Sequence, residues 1–387
     1  MVRRLFLLFL LAFTVQAQMR VRSNVTSSLY FYEGVNQTGA TDFYQDIALD
    51  LASNDKDGFK LNGYFNVYRP AVTDAWRSRF YNGYLQWSSD ASGLKARLGR
   101  QFFYRDVING SLDGLSLEYR PVKFLQLTLV GGKSVSWNRE SSTQDDYGLG
   151  MEMKINTVFP FNVGLTYYQK QRPSGLYRQQ AGAIFNGSLF HWRYLLQYRH
   201  DLLSGNYQRI RLMLFYTFRQ SNLTLEASSQ KPEIYEDLFR QLFELEAFNQ
   251  LRVGYRFFLN DYSFNLRVAA TLFSEGRSSA RINFSVNRKW GGLGIVYENG
   301  YFGQRSGLTG RLNYDLTAAL AVYMSSSYYN YERRLISAPD EATALAAGIR
   351  YHLSEQSYAD VQLQQGINRV YASELRGLLR FNYRFNQ

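Results

Sequence analysis

Apolar and polar side chains alternate residue by residue through most of this 387-residue chain. Near the C-terminal end, Leu379, Phe381, Tyr383 and Phe385 alternate with arginine and asparagine. Successive side chains of a β-strand point to opposite faces, so each such run predicts a strand with one apolar and one polar face. Many such strands, joined by short polar turns, need an environment that accepts every apolar face. A barrel with lipid outside and water inside provides it, which predicts an all-β, transmembrane, up-and-down antiparallel β-barrel.

The composition agrees with a membrane sheet. Aromatic residues make up 17% of the chain, with 31 tyrosines and 28 phenylalanines, and transmembrane barrels place such rings at both lipid–water interfaces. The chain has only six prolines, and proline interrupts a hydrogen-bonded ladder. No apolar stretch after the N-terminus reaches about 18 residues, so the sequence predicts no transmembrane helix.

Residues 1–17 predict a secretory signal peptide. Arg3 and Arg4 form a basic segment, and an apolar run from Leu5 to Val15 follows it. Val15 and Ala17 supply the small or apolar residues of a cleavage site. The apolar run is too short for a membrane anchor. We therefore expect an exported protein whose residues 18–387 form one barrel domain.

The turn signals divide the chain into about 22 strands, with 18–22 as the range. An even number places both termini on one side, expected to be the periplasm. Tight turns are predicted on that side at 54–57, 90–93, 186–187 and 291, and longer outer loops at 33–40, 138–145, 231–247 and 332–342. Short inner turns and long outer loops are typical of this class. The predicted strands are 22–32, 41–53, 58–68, 76–89, 94–104, 113–121, 124–137, 146–156, 160–170, 177–186, 188–200, 207–219, 222–230, 248–259, 262–274, 279–290, 292–303, 307–316, 318–331, 343–353, 357–369 and 373–385.

The segment 233–248 breaks the two-residue period. Tyr235, Phe239 and Phe243 are spaced as on a helix. Because the segment lies in a predicted outer loop, two interpretations stay open. It forms a helix that folds into the mouth of the barrel and narrows it, or a helix that rests on the rim.

Two stretches resemble known barrels. Residues 97–121, RLGRQFFYRDVINGSLDGLSLEYRP, resemble a hairpin common in bacterial porin-type outer-membrane barrels. The last residues, LRFNYRFNQ, resemble the C-terminal strand that the barrel-insertion machinery recognises in such proteins, although this chain ends on Gln387 and its last aromatic residue is Phe385. The resemblance implies the class of barrel and an outer-membrane location, and it names no solute.

The polar face of the predicted sheet is strongly basic in the C-terminal half. An arginine facing lipid at mid-membrane costs about 2–4 kcal/mol, so these residues are expected inside. Fewer acids share this register, among them Asp46, Glu226 and Asp360. Two interpretations stay open: the arginines focus a positive potential that concentrates anions, or they pair with the acids and fill a polar interior. The candidate lumen and selectivity residues are Arg193, Arg209, Arg211, Arg252, Arg256, Arg267, Arg281, Arg376 and Arg380.

Tyrosines of the same register also have two interpretations. They stack against sugar rings along the lumen, or they belong to the interfacial girdle and to packing between lumen side chains. Packing is the simpler interpretation, because register alone does not place them at one depth. These tyrosines are Tyr30, Tyr32, Tyr64, Tyr68 and Tyr168.

No motif predicts catalysis, so we expect a protein that is not an enzyme. A catalytic triad needs an oriented histidine, and neither His191 nor His352 is accompanied by Gly-x-Ser-x-Gly. The chain has no cysteine, which excludes thiolate metal sites, thiol catalysis and disulfides. No metal-ligand spacing and no nucleotide motif is present, so no metal and no cofactor is expected. The signal peptide and the lipid-facing surface argue against a nucleic-acid partner.

These features lead to one hypothesis and one alternative. The hypothesis is a porin-like channel of the bacterial outer membrane, for passive diffusion of small hydrophilic, preferentially anionic solutes through an arginine-rich lumen. The alternative is a non-conducting outer-membrane barrel that acts in assembly, adhesion or as a surface scaffold, which large polar-face residues such as Phe215 and Phe258 favour. The expected partners are outer-membrane lipid and lipopolysaccharide, the barrel-insertion machinery and the solutes. The solute and the oligomeric state stay open.

Overall fold

In the computed structural model the chain forms one sheet of 22 strands. The structure describes residues 19–33, 39–53, 57–71, 73, 75–135, 145–156, 161–231, 247–274, 276–301, 303–333, 336–369 and 373–386. Within these ranges, no helix is long and apolar enough to cross a membrane. The predicted signal peptide, and the predicted helical segment up to position 246, lie outside the described residues and stay predictions.

Every strand is long enough to cross a bilayer, because a tilted transmembrane strand needs about 9–11 residues. The strands are β1 Met19–Glu33, β2 Gly39–Ser53, β3 Gly58–Arg69, β4 Arg77–Ser89, β5 Leu94–Arg105, β6 Ile108–Val122, β7 Leu125–Val135, β8 Tyr147–Asn156, β9 Phe161–Arg172, β10 Gly175–Leu189, β11 Trp192–Asp201, β12 Asn206–Phe218, β13 Ser221–Gln230, β14 Phe248–Leu259, β15 Tyr262–Phe273, β16 Ser278–Arg288, β17 Gly291–Gly300, β18 Gly303–Asp315, β19 Leu320–Arg333, β20 Ile336–Ser354, β21 Ser357–Asn368 and β22 Glu374–Asn386.

The sheet closes on itself. Each strand pairs antiparallel with the next one along the chain, and β22 pairs with β1, where Leu29 lies opposite Leu379. A closed sheet has no edge strand, which is how a membrane sheet satisfies its backbone polar groups without water. The prediction of an up-and-down antiparallel barrel with 22 strands is confirmed, and the predicted strands differ from the observed ones only at their ends.

Apolar side chains cover the outer face of the barrel. Leu98, Leu293 and Leu363 expose 63%, 72% and 59% of their surface. In a water-soluble domain, side chains of this kind lie mostly in the core, so this belt needs lipid as its solvent. Aromatic rings flank the belt near both ends of the strands, for example Trp87, Tyr119 and Trp290 at one end and Tyr147, Tyr198 and Tyr297 at the other.

The two ends of the barrel differ in the length of their connections. The end that holds the chain termini, here called the terminal end, has connections of two or four residues. At the opposite end, here called the loop end, the connections contain two to 17 residues. This asymmetry follows the predicted one, whereas the periplasmic location of the terminal end stays a prediction. The predicted outer loop at 332–342 is wrong, because β19 and β20 continue to pair as far as Arg333 and Ile336, which leaves a connection of two residues.

The predicted turn at 186–187 is wrong. Asn186 and Gly187 lie within β10 and pair with β11. An Asn-Gly pair favours a two-residue hairpin turn, but here Leu189 pairs with Trp192 and carries the ladder beyond it. The chain turns after Leu189 instead, where Phe190 adopts a φ of 55°.

The hairpin between β5 and β6 leaves the barrel wall. Strand β5 pairs with β4 only as far as Arg100, which lies opposite Gly83, while its pairing with β6 continues to Arg105. On the other side, β6 joins β7 only from Ser111 onward. Residues 101–110, here called the inner hairpin, therefore have no neighbouring strand in the wall.

Gly99 and Arg100 form the bend at the base of the inner hairpin. Gly99 adopts a φ of 124°, which glycine reaches without strain. Arg100 donates hydrogen bonds to both carboxylate oxygens of Asp113, at 2.7 and 2.8 Å, and to the backbone carbonyl of Phe80 at 2.8 Å. That carbonyl belongs to the part of β4 that β5 has left, so the arginine side chain replaces a missing ladder bond.

The inner hairpin folds into the barrel and packs against its inner face. Phe103, Val107 and Ile108 form a buried cluster with Val130 of β7 and Tyr168 of β9. Burying one such apolar side chain contributes about 1.5–3 kcal/mol. The cluster is a small hydrophobic core inside an otherwise polar lumen, and it holds the hairpin against the wall.

Glycines in the wall provide the room for this packing. A Cβ atom at Gly150 of β8 would lie 2.9 Å from Ile108 Cδ1, and a Cβ atom at Gly182 of β10 would overlap the carboxylate of Asp106. Side chains at these two inward positions would hold the tip away from the sheet. The sequence of β8 and β10 is therefore adapted to the docked hairpin.

Gly182→Ala is expected to release the inner hairpin while the barrel stays closed. The added methyl group displaces the buried carboxylate of Asp106, so trypsin should cut after Arg105 about tenfold faster, the ratio expected when a charged hydrogen bond is lost. Gly164→Ala is the matched control, because a Cβ atom there meets Ile184 at an ordinary 3.8 Å. Equal rates of cleavage in the two variants would contradict the docked hairpin.

Candidate functional site

Asp106, at the tip of the inner hairpin, anchors the hairpin to β9 and β11. Its Oδ1 atom accepts hydrogen bonds from Gln197 Nε2 at 2.6 Å and Arg199 Nε at 2.8 Å, and its Oδ2 atom accepts one from Thr166 Oγ1 at 2.9 Å. The carboxylate is 0% exposed. Contacts between these distant strands are possible only inside the barrel, and a charged hydrogen bond is about twice as strong as a neutral one.

Arg105, on the other side of the tip, binds the inner face of β6, β7 and β8. Its Nη1 atom donates to Glu152 Oε2 at 2.6 Å and to Thr128 Oγ1 at 3.0 Å, and its Nη2 atom lies 3.6 Å from Glu118 Oε2. These three residues lie three or four positions from the terminal-end limits of β6, β7 and β8. β5 leaves the wall at the level of Gly83, midway along β4, and the tip of the hairpin reaches toward the terminal end.

The opposite face of the inner hairpin points into open space. Phe102 and Tyr104 expose 61% and 81% of their surface, although the barrel encloses both residues. Tyr104 lies within electrostatic reach of Arg209 on β12. The lumen is therefore narrowed between the hairpin and a wall that carries arginines.

All nine arginines predicted to line the lumen lie on strands whose register places them on the inner face. Arg209 and Arg211 lie opposite Arg199 and Gln197, the two residues of β11 that bind the tip of the hairpin. The role of the nine in selectivity stays a prediction. The other seven are Arg193 on β11, Arg252 and Arg256 on β14, Arg267 on β15, Arg281 on β16, and Arg376 and Arg380 on β22.

Three of the nine arginines pair with acids, although two of the three share a single carboxylate. Arg211 donates from Nε and Nη2 to Glu226, at 2.9 and 3.1 Å, and Arg252 reaches the same carboxylate at 3.5 Å. Arg376 binds Glu374 of its own strand at 2.9 and 2.8 Å. Pairing with acids, one of the two interpretations of the basic face, therefore describes this minority.

The other six keep their charge uncompensated. In the part of the chain that the structure describes, none of them forms an ion pair with a carboxylate. Arg193 lies 5.8 Å from the ring centre of Phe215, and Arg209 has a buried Nε atom without a hydrogen-bond partner. The inner face of β11–β16 consequently carries an excess of positive charge. The six are Arg193, Arg209, Arg256, Arg267, Arg281 and Arg380.

The inner face of β1–β3, here called the tyrosine sector, lies about half a turn of the sheet away from β12 and β13. Tyr32 and Tyr44 donate to the carboxylate of Asp42 at 3.3 and 3.2 Å, and Tyr64 donates to Asp46 at 3.0 Å. The aspartates of this sector share their face with Arg20, Arg22 and Lys60. The tyrosine sector is therefore balanced in charge, in contrast to the basic inner face of β11–β16.

The tyrosines predicted inside do not form one track along the lumen. Tyr30, Tyr32, Tyr64 and Tyr68 belong to the tyrosine sector, whereas Tyr168 packs beneath the inner hairpin. In the tyrosine sector, the ring of Tyr68 stacks on that of Tyr44 with a centre-to-centre distance of 5.9 Å. Packing and hydrogen bonding between lumen side chains account for these tyrosines, in agreement with the simpler of the two interpretations.

The inner hairpin is not predicted from the sequence, where the segment 233–248 is the candidate for narrowing the lumen in one of its two open interpretations. Residues 105–112 are predicted as a loop, although Val107 and Ile108 are apolar and β-branched, which is unusual in a turn. Their position next to Arg105 and Asp106 was the available signal for a docked tip. The stretch 97–121, which resembles a porin hairpin, contains all four of these residues.

Among the residues that the structure describes, no group of histidine, aspartate and glutamate could hold a metal ion. The Nδ1 atom of His200 lies 3.1 Å from the hydroxyl of Tyr198 rather than near an acid. That the protein is not an enzyme stays a prediction.

Comparison with known proteins gives the fold. No protein-family profile matches the chain, and no curated protein matches it. Among solved structures it is similar to the translocation pore of the P pilus usher PapC, with a TM-score of 0.50, 9% identity, and coverage of 95% of this chain and 99% of that one. It is also similar to two proteins of Pseudomonas aeruginosa, OccK2 (OpdF), with a TM-score of 0.49, 10% identity and coverage of 95% and 98%, and the outer membrane protein OpdK, with a TM-score of 0.44, 9% identity and coverage of 95% and 99%. At such low identity, the similarity to the usher pore shows the fold alone. The prediction of a porin-type outer-membrane barrel is confirmed in its fold: a closed antiparallel sheet with an apolar outer belt.

Asp106→Asn is expected to lower the free energy of unfolding in urea by about 3 kcal/mol, because removing one partner of a buried ion pair strands the other. The double variant Asp106→Asn, Arg199→Gln should lose less free energy of unfolding than the sum of the losses in the two single variants. Asp261→Asn is the control, since its pair with Arg288 is exposed and such pairs contribute about 0–1 kcal/mol. Equal losses for Asp106→Asn and Asp261→Asn would contradict the anchoring role.

Proposed function

We propose that this protein is a channel of the bacterial outer membrane through which small hydrophilic solutes diffuse, with a preference for anions. One observation carries the proposal: arginines that have no acidic partner among the described residues line the inner face of β11–β16, opposite the exposed side of the inner hairpin. The terminal end faces the periplasm, residues 1–17 are removed on export, and the outer belt contacts lipid and lipopolysaccharide after insertion by the barrel-assembly machinery.

The width of the barrel supports an open lumen. Twenty-two strands, spaced ~4.8 Å apart and tilted ~40°, close a circular cylinder about 40 Å across. Side chains do not fill such a width, since barrels of about 16–18 strands already enclose an aqueous channel. The high exposure of Phe102 and Tyr104 on the hairpin agrees with water around them. The hairpin narrows this space without closing it.

The electrostatics of the wall support the anion preference. A positive charge in a lumen with walls of low dielectric constant raises the local concentration of anions. Arg211 and Arg252 contribute little, because Glu226 neutralises them in part. Arg256 and Arg267, exposed and without an acidic partner among the described residues, contribute most of the field on their strands.

Arg256→Glu combined with Arg267→Glu is expected to move ion preference toward cations. The double change reverses two charges without breaking an ion pair, so the ratio of anion to cation permeability should fall about tenfold. The measurement is the reversal potential of single channels of refolded protein under a salt gradient. Lys289→Glu is the control, because this residue lies in the turn between β16 and β17 at the terminal end and should leave the potential nearly unchanged.

Two results would count against the proposal. If the reversal potential of the unsubstituted protein indicates a preference for cations, the anion preference is excluded, but the channel function is not. A folded, heat-modifiable barrel without any conductance would exclude the channel and favour the alternative, a barrel that acts in assembly, adhesion or as a scaffold.

A further inference from the structure

A cleft on the inner face of β16–β19 combines two arginines with three hydroxyl groups. Its volume is about 190 Å³, and it lies away from the contacts of the inner hairpin. Gly294 forms part of its floor, and the ring of Tyr329 lies over Gly307, where a Cβ atom would overlap it. The polar residues that line it are Arg281, Asn283, Ser285, Arg305, Thr309 and Tyr329.

Both arginines of the cleft keep unused donors. Arg281 donates from Nε to Asn283 at 3.2 Å, and its terminal nitrogens have no partner among the described residues. Arg305 binds Glu298 through Nη2 at 2.7 Å, while its buried Nε atom has no hydrogen-bond partner there. Glu298 also lies opposite Arg281 in register, yet only Arg305 pairs with it. The three charged groups together leave one positive charge.

Two hydroxyl groups of the cleft also keep a hydrogen to donate. Ser285 Oγ accepts from Asn265 at 3.4 Å and from Asn287 at 3.2 Å, so its own hydrogen is free. The hydroxyl of Tyr329 has no partner in the described part of the chain, and the ring of this tyrosine lies 5.8 Å from the guanidinium of Arg305. Thr309 is bound only by a long contact of 3.4 Å to a backbone carbonyl.

The cleft therefore has an excess of donors over acceptors. Among its acceptors, the amide oxygen of Asn283 and the carboxylate of the adjacent Glu298 are already bound by the arginines, and Ser285 Oγ already accepts from two asparagines. A buried donor without a partner costs about 1–3 kcal/mol, so a ligand that supplies an acceptor to Arg305 Nε recovers that energy. The ligand that fits brings several acceptor oxygens and negative charge.

We propose that this cleft binds the phosphate group of a small phosphorylated solute. Its free donors come from β16, β18 and β19, so three strands contribute to the lining of the cleft. A phosphate presents three acceptor oxygens and up to two negative charges, whereas a carboxylate presents two oxygens in one plane. This binding site rests on the proposed function, because the solute reaches it only through an anion-permeable lumen.

Calorimetric titration of the refolded full-length barrel with inorganic phosphate, at constant ionic strength, tests the site. Arg281→Gln is expected to weaken phosphate binding about tenfold, and Tyr329→Phe about threefold, as the loss of a charged and of a neutral hydrogen bond implies. Arg256→Gln is the comparison variant, because it removes the same charge from the lumen on β14 outside the cleft. It measures the effect of the general field alone and should weaken phosphate binding clearly less than Arg281→Gln does.

Three results would overturn the site. Equal weakening by Arg281→Gln and Arg256→Gln would mean that phosphate responds to the general field of the lumen. Binding of malonate as tight as that of phosphate would exclude the phosphate class. An anion-selective channel without saturable phosphate binding would exclude the site but not the proposed function. A non-conducting barrel whose phosphate binding depends on Arg281 would exclude the proposed function but not the site.

Discussion

The hydrogen-bonded seam between β1 and β22 is the constraint on which the rest of this structure depends. In lipid each unpaired backbone group costs several kcal/mol, so a membrane sheet has to close. Once 22 strands have closed, the lumen is too wide for side chains to fill, and the polar face of the sheet meets water. Arginines such as Arg256 and Arg267 can therefore stay charged without a counter-ion. The same charges would be costly in lipid or in a packed core.

The width of the lumen also explains why a piece of backbone, rather than larger side chains, narrows it. When the inner hairpin leaves the wall, it gives up ladder bonds with β4, and Arg100 restores one of them. The apolar cluster around Val107 and the hydrogen bonds of the buried Asp106 offset the loss of the other ladder bonds. Because Asp106 neutralises Arg199 and leaves its cross-strand neighbour Arg209 free, one element both narrows the lumen and determines which charges face it.

The sequence predicts the wall of this barrel far better than its interior. Local alternation suffices to separate Leu379 from Arg380, because exchanging a lipid face and a water face is costly at every position of a strand. The docked hairpin depends on partners such as Asp106 and Arg199, which are 93 positions apart and share no local period. Arg211 and Arg256 likewise look equivalent in the sequence, yet only Arg211 is bound by Glu226. The same limit explains the turn wrongly predicted at 186–187, where cross-strand pairing overrides a local preference.

The most direct test of an open lumen narrowed by a docked hairpin uses the absence of cysteine from this chain. Tyr104→Cys and Val107→Cys each introduce one thiol, at positions that are 81% and 0% exposed. A charged, membrane-impermeant thiol reagent applied to open single channels should lower the conductance of the Tyr104→Cys variant in discrete steps, and should leave the Val107→Cys variant unmodified. Modification of the Val107→Cys variant, or a modified Tyr104→Cys channel with unchanged conductance, would contradict the account.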